Sequence, residues 1–558
     1  MNVIQRDRFS VLGSRFSVPG SRFLVPGSWF LVLGSQFPVL GSQFPVLGSW
    51  FSVLSSRFPV LGSQFPVPGS RFLVLGSWFS VLSSRFSVLG SWFSVPGSWF
   101  SVPGSRFSVP GSWFLVLGSW FSVLSSRFLV LSSWFSVLGS WFSVLSSQAL
   151  GSRFSVLSSR FSHMHLSEQF LLRRDITFLN HGSFGACPRP VFEAYQQWQR
   201  TLEMQPVEFL GRRLNGLLAE ARARLAAFIG AAPDDVVFVP NVTYAMNIVA
   251  RSIDLRPGDE VLGSNHEYGA VERTWRYVCD QRGAVYIPQP VALPVDDDSA
   301  IVEQIWSGVT ERTKVITLSH ITSPTALIMP IATICQRARD AGIITVIDGA
   351  HALGQIDLDM QAIGADFYGG NCHKWLCAPK GAGFLYARPD HQALLQPLVV
   401  SWGWQPRQPM RSSFLAYPEG ASFRDYYEWM GTDDPSAFLS VPAAIDFQTA
   451  NDWSTVRRAC HALLVDASRR IAGLTGCAPL TPDGEAWWMQ MRALPLPPCD
   501  PKEVQARLWN EFRIEVPCFD WESAPLIRIS IQAYNTPADI DRLLEGLRTV
   551  LAGRLRTA

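Results

Sequence analysis

A chain of 558 residues is long for a single domain and points to two or three folding units. Its formal net charge of +2 gives no reason to invoke nucleic acid, and no apolar run approaches the roughly 20 residues needed to span a bilayer. The nine cysteines are scattered after the first third of the chain, with no CxxC pair or zinc-like spacing. They read as reduced thiols of a cytoplasmic protein and not as a disulfide framework.

From about Phe9 to Phe161 the chain is a degenerate seven-residue repeat, as at Ser14 to Gly20 or Ser105 to Gly111. Asp7 is the only acidic residue before Glu168, and no lysine precedes Lys314. Glycine and proline in a helix cost about 1 and 3 kcal/mol each, and charged pairs flanking an apolar seam are missing, so the period does not mean a coiled coil. A β-solenoid is conceivable, although such repeats usually run longer than seven residues. The short, recurring apolar runs do not make a signal peptide. Residues 1–163 are therefore a low-complexity tract, read either as a disordered or β-prone aromatic tail or as mistranslated upstream sequence. We favour the second and take the functional protein from Met164, where the sequence character changes.

Beyond that point β-rich runs alternate with amphipathic segments. Strands are predicted at Val236–Pro240, Glu260–Ser264, Ala284–Pro288, Lys314–Ser319, Ile343–Ile347, Phe367–Gly370 and Gly383–Ala387. Helices are predicted at Leu214–Phe228, Ala270–Gln281 and Ile331–Ala341. Such alternation implies an α/β fold with a mostly parallel sheet covered on both faces, and ligands then bind beyond the carboxyl ends of the strands.

Three strand ends carry chemistry. Ile343–Ile347 runs into Asp348-Gly-Ala-His351, where an ionised carboxylate could pair with a protonated pyridine nitrogen. An isolated Asp-Gly is more commonly a turn. Further on come Gly369-Gly-Asn371-Cys-His373-Lys374-Trp375 and Gly381-Ala-Gly383. The chain has four lysines, and only Lys374 sits in a polar, glycine-bordered segment after a strand. Desolvation there would make it an amine nucleophile. Val242-Thr243 follows a strand and opens a helix, which is a natural anion site.

Asp348-Gly-Ala-His351 followed by His373-Lys374 resembles the cofactor signature of class V aminotransferases, which include cysteine desulfurases and kynureninase. Phe178-Leu-Asn-His-Gly-Ser-Phe-Gly185, Asn265-His-Glu-Tyr-Gly-Ala-Val271, His320-Ile-Thr-Ser-Pro324 and Asn371-Cys-His-Lys-Trp375 resemble the isopenicillin N epimerase-like branch. The similarity covers Met164 to Ala558 and none of the repeat.

The resemblance implies a fold type I enzyme using pyridoxal 5′-phosphate. Its large domain with an N-terminal arm would span 164–410, and a smaller α+β C-terminal domain 411–558. It implies that Lys374 binds the cofactor covalently and moves the α-proton, and that Asp348 pairs with the ring nitrogen. His351 and Ser323 would contact the phenolic oxygen; Val242, Thr243, Asn371 and His373 would hold the phosphate. Thr432, after Gly431, would reach the phosphate of a neighbouring subunit, making the protein a homodimer. Either His266 or Tyr268 would stack on the ring, with Tyr268 preferred by alignment with Trp275. Arg528, in the predicted strand Ile527–Ile531 before a last helix at Pro537–Leu551, would clamp the substrate carboxylate. Asn180, His181 and Gly182 would lie at the substrate mouth.

The expected reaction is epimerisation at the α-carbon of an amino acid, with Tyr268 or His351 as second proton donor. Carbon–sulfur lyase and transaminase activities use the same carbanion. A desulfurase would need a mobile cysteine, and Cys518 lacks the family's usual loop. A non-enzymatic alternative is a self-associating or adhesive protein driven by the repeat.

Overall fold

The computed structural model describes residues 166–401, 404 and 423–554, together with short strand segments of the repeat tract. Met164 and the expected boundary at 410–411 lie outside the described residues. Residues Met1–Val156 form one unit and Leu157–Ala558 another. In the first, strand segments pair in parallel at offsets of whole repeats. Trp99–Pro103 lies beside Trp113–Leu117, fourteen residues on, and Arg8–Leu12 beside Trp29–Leu33, twenty-one residues on. The paired segments are thus two or three heptapeptides apart.

The second unit is built on a seven-stranded sheet. Its strands are β1 (Val236–Val239), β2 (Glu260–Ser264), β3 (Val285–Gln289), β4 (Thr313–Ser319), β5 (Ile344–Gly349), β6 (Phe367–Asn371) and β7 (Gly383–Ala387). In space they run β3-β2-β4-β5-β6-β7-β1. All seven predicted strands are present, with ends shifted by at most two residues. The sheet is mostly parallel; β7 is the exception, antiparallel to both β6 and β1. No helix intervenes between β6 and β7, so the chain turns straight back, as a parallel crossover could not.

Successive strand residues feed opposite faces. Ile316, Ile347 and Phe384 enter one apolar cluster, while Val315, Val346 and Leu385 enter the other. Helices α1 (Leu214–Phe228), α2 (Val242–Ser252), α3 (Gly269–Arg282) and α4 (Ile331–Asp340) cover these faces. The α2 entrance packs unusually close to the sheet. A Cβ at Gly383 would stand 2.9 Å from Asn241 Cα, and one at Gly369 would stand 2.9 Å from Met246 Cε.

Near the C-terminus, β8 (Met491–Pro495), β9 (Cys518–Trp521) and β10 (Ala524–Ser530) form an antiparallel sheet in the order β8-β10-β9. Helices α5 (Trp453–Thr475), α6 (Pro501–Phe512) and α7 (Pro537–Val550) accompany it. The N-terminal arm belongs with this C-terminal layer: Thr177–Phe178 pairs in parallel with Ile514–Glu515, and Asn180 bridges Ser530. No helix among the described residues is long and apolar enough to cross a membrane.

Candidate active site

The segments that leave β1, β2, β4, β5 and β6 at their carboxyl ends converge on one cavity of about 490 Å³. That volume suits a small organic ligand. Sheet register explains the convergence, since Ser319 on β4 lies opposite Asp348 on β5, which lies opposite Gly369 on β6.

Lys374 stands in the turn after β6 and lines this cavity. Its Nζ lies 3.1 Å from His351 Nε2. Burial holds the amine down to about 8, with Asp348 opposing the shift and Arg528 reinforcing it. Neutral amine is therefore accessible near physiological pH, which a nucleophilic lysine needs. Asp348 is only 2% exposed, and burial raises its carboxyl above the usual range. Its Oδ1 accepts the Ala350 N–H at 2.8 Å. Among the described residues no lysine, arginine or histidine lies within ion-pair distance of it. A buried carboxylate without a cation is costly, and a protonated ring nitrogen would supply the missing partner.

The start of α2 also lines the cavity, and a helix N-terminus favours an anion. Asn241 caps the helix by accepting the Tyr244 N–H at 3.0 Å, and the Val242 N–H donates to Asn371 Oδ1 at 3.0 Å. Among the described residues the Thr243 amide and hydroxyl have no protein partner, and both belong to a cavity-lining residue. His373 also lines the cavity; its Nδ1 donates to the Ala382 carbonyl at 3.1 Å, and burial lowers it to about 4.

Arg528, on β10, is 6% exposed and faces no carboxylate among the described residues. Nη1 donates to the Ser323 carbonyl at 2.5 Å and its hydroxyl at 3.1 Å, and Nη2 donates to Ser183 Oγ at 3.2 Å. Nε is buried without a partner. Burial pulls the guanidinium down to about 10. Ser183 and Ser323 line the cavity; Arg528 is not itself a lining residue and adjoins the cavity through these two partners.

Several expected residues lie elsewhere. Asn180, His181 and Gly182, expected at the substrate mouth, are not among the residues that line the cavity. Asn180 donates to Glu515 Oε1 at 2.9 Å. His181, fully buried, is held between Tyr534 Oη and the Lys374 carbonyl, each at 3.0 Å, and so supports the lysine turn. Gly182 packs against Met491, Ser530 and Trp375. Their neighbours Ser183 and Phe184 line the cavity instead.

Between the two ring candidates, His266 is fully buried and commits both nitrogens, to Thr325 Oγ1 at 2.7 Å and the Val291 carbonyl at 2.8 Å. Tyr268 lines the cavity and is half exposed. Thr432 lines a different cavity, with Trp429, Met430 and Phe438, and does not share the one holding Lys374. Sequence reasoning missed Lys380, which lines the site and donates to the Gly185 carbonyl at 2.8 Å. Its position beside Gly381-Ala-Gly383 was the available signal.

Residues 185–543 match the family model for aminotransferase class V. The chain belongs to the class V aminotransferase family. It is 38% identical to isopenicillin N epimerase of Amycolatopsis lactamdurans over 386 residues, covering 68% of this chain and 96% of that protein. Identity to isopenicillin N epimerase of Streptomyces clavuligerus is 36%, with the same coverage. A putative L-cysteine desulfhydrase of Oryza sativa subsp. japonica is 29% identical, covering 68% of this chain and 85% of that protein. The fold is that of a cysteine desulfurase from Escherichia coli (TM-score 0.59, 21% identity, 70% of this chain and 98% of that one). It is also that of a C-DES variant with glycine covalently linked to its PLP cofactor (TM-score 0.59, 21% identity, 68% and 98%).

Pyridoxal 5′-phosphate is the cofactor of this class V fold, and the residues present fit it. Lys374 offers the amine, Asp348 the unpaired carboxylate for the ring nitrogen, and Thr243 with the start of α2 the open donors for the phosphate.

Proposed function

We propose that this class V enzyme acts at the α-carbon of an amino acid or amino-acid-derived substrate, and that its reaction is an epimerisation of the isopenicillin N epimerase type. The observation that carries the reading is one cavity lined by Lys374 and the cation-free Asp348, with the carboxylate-free Arg528 guanidinium donating to two of its lining residues, Ser323 and Ser183. The epimerases of A. lactamdurans and S. clavuligerus support the choice of reaction.

Bound pyridoxal phosphate supplies an electron sink for the electron pair left at the α-carbon. Arg528 binds and orients the substrate carboxylate through its planar fork. Lys374, as neutral amine, takes the α-proton and returns it. Asp348 keeps a positive charge at the far end of the ring. Inversion requires a second proton carrier on the other side of the substrate, and Tyr268 is the hydroxyl we assign to it.

Desulfhydrase relatives favour carbon–sulfur lyase activity as the second reading. The desulfurase variant of that reading has less support, because none of the nine cysteines, all free thiols, lines the cavity. Free thiols also support a cytoplasmic setting. The Gly431-Thr432 segment, which resembles the one that reaches the phosphate of a neighbouring subunit, supports a homodimer.

A panel of amino acids incubated with the protein in deuterated water tests the reading. Deuterium at the α-carbon with inverted product supports epimerase; sulfide with keto acid supports lyase; absence of exchange on every substrate refutes α-carbon chemistry.

A further inference from the structure

His351 touches two neighbours whose chemistry fixes where its proton sits. The Trp375 indole Nε1–H lies 3.3 Å from His351 Nδ1. An indole nitrogen donates and never accepts, so Nδ1 must offer its lone pair. In a neutral imidazole the single proton then belongs to Nε2, the atom 3.1 Å from Lys374 Nζ. Both partners are held firmly. Trp375 is fully buried, its ring is 4.9 Å from that of His181, and its carbonyl accepts from Gln448 Nε2 at 2.8 Å. His351 is 3% exposed, and its own carbonyl accepts from Gln355 Nε2 at 2.8 Å.

We propose that Trp375 is a positioning residue that locks His351 as the Nε2–H tautomer, making His351 a fixed hydrogen-bond donor toward Lys374 and not a second acid–base group. If Nε2 carries the hydrogen, the lysine nitrogen must accept it, and only the neutral amine can. The device therefore selects the nucleophilic form of Lys374. The titratable groups acting on the ring are Lys374, Arg528, His181 and His373. All are cationic or potentially so, which opposes a second proton on the imidazole. A neutral imidazole held in one tautomer is a poor acid, so the second proton for inversion has to come from elsewhere, as the assignment of Tyr268 requires. The tautomer stands on geometry; its consequence for inversion rests on the functional reading above.

Long-range proton–nitrogen NMR on full-length protein labelled with 15N-histidine tests this, with and without pyridoxal phosphate. The signal is assigned by its loss in His351→Gln. We expect the Nε2-protonated pattern between about pH 6 and 9. Trp375→Phe keeps an aromatic ring but removes the donor, so the single-tautomer pattern should be lost. Competitive acylation of Lys374 in the cofactor-free variant should then show a midpoint up to about one pH unit higher. An Nδ1–H pattern in the unmodified protein, or an unchanged pattern in Trp375→Phe, would overturn the proposal. If the variant does not fold, the unmodified protein's spectrum decides. Failure of α-proton exchange with the expected pattern intact would strike the functional reading alone.

Discussion

Replacing Arg528 with alanine separates substrate binding from the other tasks of the cavity. The guanidinium donates to Ser323 and Ser183, yet has no carboxylate partner among the described residues and leaves Nε unsatisfied. A substrate carboxylate would gain two charge-assisted hydrogen bonds, each about 1.5–3 kcal/mol. Their loss raises KM by about 100-fold or more, since about 1.4 kcal/mol is one factor of ten. Ser183 and Ser323 open on the cavity, so water replaces the guanidinium at both. An unpaired buried charge also contributes little to stability. Thermal stability and the visible absorption of the bound cofactor should therefore be unchanged. Steady-state kinetics, a spectrum and a melting curve on the same preparation check all three. Loss of cofactor absorption, or a lowered melting temperature with KM unchanged, would refute the reasoning and make Arg528 a structural residue.

Lys374→Ala should abolish the visible band of the covalently held cofactor, and spectroscopy after dialysis reads this directly. In the unmodified protein the rate of cofactor capture should climb about tenfold per pH unit below about 8 and level off above it, because the amine titrates there. Tyr268→Phe should keep cofactor binding and α-proton exchange through Lys374 while inversion falls by about 10²–10⁴-fold; equal loss of both would remove Tyr268 from the second face. Glu267 is buried and accepts from Ser264 Oγ at 2.5 Å and Ser319 Oγ at 2.8 Å. Burial raises its carboxyl from 4.5 to about 7. Its ionisation is disfavoured in the fold, so stability is lost as pH rises from about 4.5 to 7. Glu267→Gln should recover up to about 3 kcal/mol above pH 7, read by denaturant unfolding at pH 5 and pH 8.

Much of this protein was legible from its residues. Strands buried on both faces show as short apolar runs between turns, and the rule that ligands gather at strand ends singles out Asp348 and Lys374. Local order also marked Val242-Thr243 as the start of a helix after a strand. These features depend on residues near one another in sequence, where spacing and side-chain type carry the information.

Tertiary structure decided what long-range contacts decide. Asn180 and His181 belong to the motif segment Phe178–Gly185, yet they do not line the cavity, and Glu515 and Tyr534, more than three hundred residues away, hold their side chains. His266 and Tyr268 are two residues apart, and only alignment with Trp275 favoured Tyr268 as the ring partner. The placement of Val291 and Thr325 around His266 leaves Tyr268 at the cavity. The antiparallel course of β7 and the hydrogen bond from Trp375 to His351 likewise appear only when the strands are laid side by side. The sequence by itself determined the class of fold and the residues able to do the chemistry. Which of them face the cavity, and in which protonation state they are held, depends on partners that only folding brings together.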